Sequence, residues 1–382
     1  MKTLTNDEII SFIRGLYGQP ESFIPLHVPR FEGNEKKYVL DTIDSTFVSS
    51  VGAYVDRFEA MMRDYTGAKY AIAIVNGTAA LHMALMLAGV KRGDLVITQA
   101  LSFIATCNAI SYIGAEPMFV DVNHSRLGMS AEALRKLLQD VELKNGVAIH
   151  GPTGKRVAAV VPMHTFGIPV EIDEIVSLCK DFNIPVVEDA AESLGSIYKG
   201  KHTGTFGKLG AYSFNGNKTV TCGGGGMIVT DDESIGKMAK HLTTQAKVPH
   251  RWEFVHDMVG YNYRCPNINA ALACAQMEQL ETFIENKRTT AHSYHEFFGG
   301  SQIEFIPEPA ESRSNYWLNG ILLPDHSAQQ KFLEDTNNAQ VMTRPVWALM
   351  TRLPMFSSCL HDGLENSLDI EARLVNVPSS VR

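Results

Sequence analysis

Between residues 70 and 190 the sequence repeats one unit, a short apolar run followed by a stretch with helical spacing. Residues 70–75 read as a strand and 78–89 as a helix. Strand-like 95–98 precedes helix-like 103–113. Residues 116–120, 157–162 and 184–188 are further strands, with helical 172–182 before the last. This alternation predicts a mostly parallel sheet covered by helices, since parallel neighbours need a long crossover that is usually helical.

The rhythm then changes. Residues 211–214 and 227–230 read as strands around a glycine-rich turn, and 267–296 as one long helical stretch. Beyond 301 the pattern is mixed, with a strand at 316–323, a helix at 328–337 and a tail broken by Pro345, Pro354 and Pro378. A chain of 382 residues suggests two or three domains. We place a large α/β domain with an N-terminal helical segment over residues 1–255 and a smaller one over 256–382. Apolar residues at 45% and charged residues at 20% exclude a disordered or fibrous chain. A net charge of −8 argues against nucleic acid or anionic lipid as a partner. No apolar run approaches the roughly 20 residues of a membrane span, and the first residues lack a signal-peptide core. Cys107, Cys179, Cys222, Cys265, Cys274 and Cys359 show no CxxC spacing. They read as reduced thiols of a cytoplasmic protein. The thirteen histidines form no HExxH or Cys/His cluster, so no metal is expected.

Four segments follow strands, where open α/β sheets bind ligands. In Asn76-Gly77-Thr78-Ala79-Ala80 the free N–H groups of a helix start could hold a phosphate, or the segment is an ordinary capped turn. In Glu188-Asp189-Ala190-Ala191-Glu192, Asp189 ends a buried strand. A carboxylate there is costly unless it meets strong donors or a cation such as a protonated heterocyclic nitrogen. The alternative is a helix cap. Ser213-Phe214-Asn215-Gly216-Asn217-Lys218-Thr219 puts Lys218 between a strand and a glycine turn, where a lysine can form a Schiff base. A phosphate loop fails there on spacing, and no helical pattern follows Thr219. Asn262 and Arg264, in Gly260-Tyr261-Asn262-Tyr263-Arg264, suit phosphate or carboxylate recognition, or belong to a polar pre-helix loop. The glycine run at 223–226 does not complete GxGxxG, because Ile228 stands at the third glycine position, so a nicotinamide site has little support.

A phosphate-type turn, a strand-end carboxylate and a lysine before a glycine turn, in that order, match the needs of pyridoxal 5'-phosphate. Here the chain resembles the DegT/DnrJ/EryC1/StrS sugar-nucleotide aminotransferases. The resemblance rests on residues 47–52, Asn76-Gly77-Thr78-Ala79-Ala80-Leu81, Glu188 to Glu192, Ser213 to Lys218, Gly260 to Arg264 and Thr343-Arg344-Pro345-Val346-Trp347. Leu26-His27-Val28-Pro29-Arg30-Phe31, Met163-His164-Thr165-Phe166-Gly167 and residues 242–250 resemble the LegC-type branch, linked to legionaminic-acid and bacillosamine pathways. The resemblance implies the aspartate-aminotransferase-like fold type I, with a seven-stranded-type sheet domain and a smaller C-terminal α/β domain.

It also implies roles. Lys218 would carry the cofactor as an imine and shuttle the proton. Asp189 would pair with the pyridine nitrogen and Phe103 would stack on the ring. Gly77, Thr78, Ala79 and Ser213 would hold the phosphate, with Asn262 reaching it from the neighbouring subunit of a homodimer. Glu192 would lie near the cofactor hydroxyl or the sugar, and Arg264, Arg344 and Trp347 on the substrate side. Lys218 stands where dehydratase relatives carry histidine, which favours transamination. The implied reaction moves the amine of L-glutamate onto the 4-keto group of a UDP-linked 4-keto-6-deoxy-N-acetylhexosamine. The alternatives are a 3-keto, GDP-linked or dTDP-linked acceptor, or a non-catalytic relative that binds the cofactor.

Overall fold

The computed structural model describes residues 2–382. Helices α1 (Asn6–Tyr17), α2 (Glu35–Asp44) and α3 (Ala53–Thr66) lead into a sheet of seven strands. These are β1 (Tyr70–Ile74), β2 (Leu95–Gln99), β3 (Glu116–Val120), β4 (Val157–Val161), β5 (Val187–Asp189), β6 (Leu209–Ser213) and β7 (Gly226–Thr230). Their spatial order is β3-β2-β4-β5-β6-β7-β1. Parallel bridges Val160–Val186 and Met163–Asp189 join β4 to β5, and the Asp189 N–H donates to Pro162 O at 2.9 Å. Only β7 runs against its neighbours. The sheet expected from the apolar runs is therefore present, with six strands parallel.

Both faces are covered, as such a sheet requires. Strands β2 and β4 are buried at every position. Alternation sorts the side chains of β1: Ile72 and Ile74 pack with α4 (Gly77–Leu87) and α5 (Ile104–Ile113), while Ala71 and Ala73 face α3. Helices α6 (Ala131–Leu137) and α7 (Ile172–Asp181) cover the β3 side, and α8 (Glu233–Thr243) packs beside α4.

Two expectations are corrected here. The helical stretch 267–296 is two helices, α9 (Asn267–Met277) and α10 (Leu280–Phe298). The joint is held from outside: Glu278 accepts from Asn34, Tyr38 and Arg57, and Gln279 donates to Glu35. The strand expected at 316–323 is shorter, because Tyr316 adopts a φ of 46° and ends the extended run. It is Asn319–Leu322, the second strand of a four-stranded antiparallel sheet. With β8 (Glu304–Phe305), β9 (Asn319–Leu322), β10 (Arg344–Pro345) and β11 (Leu374–Val377), its order is β8-β9-β11-β10. Helices α11 (His326–Asn338) and α12 (Glu365–Arg373) complete the C-terminal part.

The cores are interleaved along the chain. Ile9 and Ile13 of α1 pack with Tyr294, Phe298, Ile321 and Phe332, whereas Ala270 and Cys274 of α9 pack with Phe58 and Met62 of α3. We propose a division in which α1 belongs with the C-terminal unit and α9 with the N-terminal one, in place of a single cut near residue 255.

One contact shows how the two units are locked together. Helix α12 starts after Leu364, which lies in the left-handed region (φ 62°) and offers no side-chain cap. Asp121, at the end of β3, supplies the cap from the other unit. Its carboxylate accepts from the N–H groups of Asn366 and Ser367 at 2.8 Å and from Ser367 Oγ at 2.6 Å. A carboxylate at a helix start is favoured by hydrogen bonding and by the helix dipole. Asp121→Ala would leave these donors without an acceptor. It is expected to lower unfolding stability by about 2–4 kcal/mol in urea titration, with Asp121→Asn losing less.

Candidate active site

The carboxyl ends of β5 and β6 lie side by side, with Ala211 opposite Asp189. Above them is a cavity of about 300 Å³, bounded by the start of α4, the strand ends, the Lys218 loop, and Trp317 and Trp347 from the C-terminal unit. Five of the expected segments converge there.

Asn76 caps α4 with its side chain, accepting from Ala79 N at 2.8 Å. The Ala79 N–H is thus donated to the Asn76 side chain, and Ala79 is buried and not among the residues that line the cavity. Gly77 and Thr78 do line the cavity, and as first-turn residues their N–H groups have no intrahelical acceptor. Glycine is needed at 77 because a Cβ there would sit 2.8 Å from Ser213 Cβ. This close approach brings the Ser213 side chain to the helix start, where the three groups could hold an anion.

Strand alternation separates the adjacent carboxylates Glu188 and Asp189. Glu188 points into the protein and accepts from His164 Nε2 at 3.0 Å and from the N–H groups of Gly204, Phe206 and Gly207 at 2.6–2.7 Å. His164 Nδ1 accepts from Val170 N, so Nε2 carries the ring hydrogen. Asp189 lines the cavity instead. Thr106 Oγ1 donates to its Oδ2 at 2.6 Å and Ala191 N to its Oδ1 at 3.1 Å. Burial still raises its pKa, because these donors and the Lys218 charge do not restore lost hydration. A cationic ring nitrogen would complete the site.

Lys218 is largely buried at the cavity wall. Its Nζ lies 3.2 Å from Glu192 Oε1 and 4.0 Å from the Trp317 ring centroid. Glu192 Oε2 accepts from Phe166 N at 2.9 Å. Burial pushes the Glu192 carboxyl up to about 7, against the opposing pull of Lys218. Phe103 is 47% exposed at the cavity and lies 5.9 Å from Trp347, which also contacts Phe166.

Three expected residues are not on this cavity. The guanidinium of Arg264 is buried in an ion pair with Glu59 at 3.0 Å, so it is committed internally. Arg344 is exposed on β10 and donates to Asn337 and Thr343. Asn262 is exposed on the loop before α9. The sequence reading missed Thr106, Met163 and Trp317. Trp317 is fixed at each polar group: its Nε1 donates to Asn217 O at 2.6 Å, its N to Asn315 Oδ1 at 2.8 Å, and its carbonyl accepts from Lys287 Nζ at 3.1 Å. Lys287 is buried, bonds the Ser379 carbonyl too, and is pulled down to about 7 by burial. Trp317 is one hundred residues from Asn217 in sequence, and no local spacing links the two.

The raised acid has a thermodynamic signature. Glu192 titrates near 4.5 when unfolded and near 7 when folded. Between these values the folded protein keeps a proton that the unfolded chain has released. The stability from this group is therefore full below about pH 4.5 and is lost as pH rises through 7. Relative to the native protein, Glu192→Gln should gain up to about 3 kcal/mol over that window in chemical denaturation. Parallel stability profiles for the two proteins would reject the raised carboxyl.

Comparison with known proteins gives this cavity its context. Residues 29–382 match the model of the DegT/DnrJ/EryC1/StrS aminotransferase family. The chain is 37% identical over 357 residues to GDP-perosamine synthase of Escherichia coli O157:H7, covering 94% of this chain and 93% of that protein. Among solved structures it resembles the aminotransferase TlmJ from Streptoalloteichus hindustanus, at a TM-score of 0.85, 24% identity and 94% of each chain. It also resembles Helicobacter pylori PseC, an aminotransferase involved in the biosynthesis of pseudoaminic acid, at a TM-score of 0.85, 21% identity and 94% of each chain. These structures share the fold type I architecture of pyridoxal phosphate-dependent transferases. The chain belongs to the DegT/DnrJ/EryC1/StrS aminotransferase family and is a pyridoxal 5'-phosphate-dependent aminotransferase.

Proposed function

We propose that the chain transfers the amino group of L-glutamate to the 4-keto carbon of a sugar nucleotide. The observation that carries this reading is the convergence of Lys218, Asp189 and the α4 start on one cavity. The cofactor supplies an electron sink for charge developing at the amino donor's α-carbon. In this reading the Gly77 and Thr78 N–H groups and Ser213 bind its phosphate. Asp189, oriented by Thr106 and Ala191, holds the ring nitrogen protonated. Phe103 covers the ring, and Lys218 bears the cofactor and moves the proton at Nζ. Glu192 and Trp347 border the space left for the sugar.

Asn262 reaches the phosphate site of a second copy in this proposal, making the working unit a homodimer. Its exposed position supports this. So do the exposed apolar residues Val51, Phe254 and Val259, the last two at 80% and 84% exposure, which would otherwise face water.

For the acceptor we propose a UDP-linked 4-keto-6-deoxy-N-acetylhexosamine, on the LegC-type motifs. A GDP-linked acceptor is the second reading, favoured by the relative named GDP-perosamine synthase. A panel of UDP- and GDP-linked 4-keto-6-deoxy sugars, assayed with L-glutamate, separates the two. Turnover with neither would remove both of these acceptors.

Two variants test the residue roles. Lys218→Ala should lose the absorbance band of the lysine-bound cofactor and reduce turnover by at least roughly 1,000-fold. Thr106→Val should weaken cofactor retention about tenfold, measured by equilibrium dialysis, since it deprives a buried carboxylate of a donor. Native affinity in that variant would exclude Asp189 as the ring-nitrogen partner.

A further inference from the structure

The two units meet beside the cavity through one buried run of the C-terminal unit, Ser314-Asn315-Tyr316-Trp317. We infer that Asn315 is a positioning residue of the aminotransferase reaction. It fixes the backbone that carries Glu192 and the wall residue Trp317 against each other, and so sets the shape of the space in which substrate binds. Its effect on substrate rests on the sugar-side reading of Glu192 given above, but the clamp itself is testable without that reading.

Hydrogen bonds define the clamp. Asn315 Nδ2 donates to Glu192 O at 2.8 Å and to Leu194 O at 2.9 Å, and its Oδ1 accepts from Trp317 N at 2.8 Å. A primary amide carries two donors and an acceptor on one planar head, and here both donors and the acceptor are used. Asn315 N donates to Ser196 Oγ at 3.0 Å. Ser196 Oγ and Ser314 Oγ both donate to Gly167 O, at 2.6 and 3.0 Å. That turn also carries Phe166 N, which donates to the far end of Glu192, at Oε2. The run therefore grips the acid twice, at its backbone carbonyl and, through the turn at 166–167, at its carboxylate. Trp317 Nε1 extends the same run to Asn217 O, one residue before Lys218.

Backbone strain marks the same place independently. Tyr316 lies in the left-handed region at a φ of 46°, and Phe166 does so at 56°. Bulky residues are disfavoured there and stay only where their surroundings over-determine them. Gly167, at a φ of 88°, has no room for a side chain, because a Cβ would collide with Asn315 Oδ1. Strained backbone concentrates at functional sites, where geometry is held against local preference. Here the strained residues flank the amide that ties the two segments together.

The test exploits the chain's three tryptophans. Trp252→Phe and Trp347→Phe together leave Trp317 as the only indole of the full chain, and its quenching by acrylamide reads how tightly it is held. In this background Asn315→Ala should raise the quenching constant by roughly twofold or more, because the freed segment opens locally. Asn315→Asp, equal in size, should raise it at least as much, since it turns two donors that face carbonyls into acceptors. Asp121→Ala, which removes a remote contact, should leave it unchanged. Kinetics use the holoenzyme with all three tryptophans, L-glutamate, and whichever of the UDP- and GDP-linked 4-keto-6-deoxy sugars it aminates. Asn315→Ala should raise the KM for that sugar about tenfold. A smaller folded fraction would instead lower kcat and leave KM alone. Native quenching in Asn315→Ala, or an equal rise in Asp121→Ala, overturns the clamp, and an unchanged KM overturns its part in the reaction. Should Asn315→Ala fail to fold, Ser196→Ala decides on the same readouts, because it removes the hydroxyl that joins Asn315 N to Gly167 O. A protein that aminates neither sugar fails the acceptor reading, and quenching then decides the clamp alone.

Discussion

Three carboxyl groups within five residues are buried at the end of one strand, and much of the surrounding architecture answers the cost of that burial. A buried carboxylate needs donors to replace water. Glu188 finds them in His164 and the turn at 204–207, Asp189 in Thr106 and its own following turn, and Glu192 in Phe166 and Lys218. Glu188 is fully supplied and holds the frame. Asp189 and Glu192 are under-supplied, and their proton affinities rise. The difference in donor supply separates one acid held by four donors from two whose proton affinity is raised by burial.

The C-terminal unit contributes the cavity's far wall. Trp317 and Trp347 stand across from the strand ends, tied to Asn217, Phe103 and Phe166 of the larger unit. Asp121 capping α12 works in the opposite direction, from sheet to C-terminal helix. The site is thus built across the junction, and its dimensions depend on contacts that run both ways.

What could be read from the sequence follows from the range of each signal. The sheet was legible because buried parallel strands are short apolar runs; Asp189, Gly77 and Thr78 were legible as cavity-lining residues because each sits at a strand end or helix start, and Lys218 because it lies in the loop between a strand and a glycine turn. Resemblance added Phe103, Ser213 and Trp347. Trp317 was hidden, since its contact with Lys218 is made by tertiary packing alone. The ion pair of Arg264 was hidden for the same reason: a guanidinium beside an aromatic loop looks free in sequence, and only the fold shows Glu59 against it. The break between α9 and α10 was invisible because neither proline nor glycine marks it; partners on α2 and α3 hold it.

The interleaving of the two cores has a consequence for how this protein can be taken apart. Helix α1 lies at one end of the chain and its packing partners lie beyond residue 290, while the helix that seals the other core comes after residue 266. No single cut releases a piece with a closed interior. A cut near residue 255 would part α1 from none of its neighbours in sequence, yet it would separate α1 from the apolar residues beyond 290 that it packs against, and α9 from Phe58 and Met62.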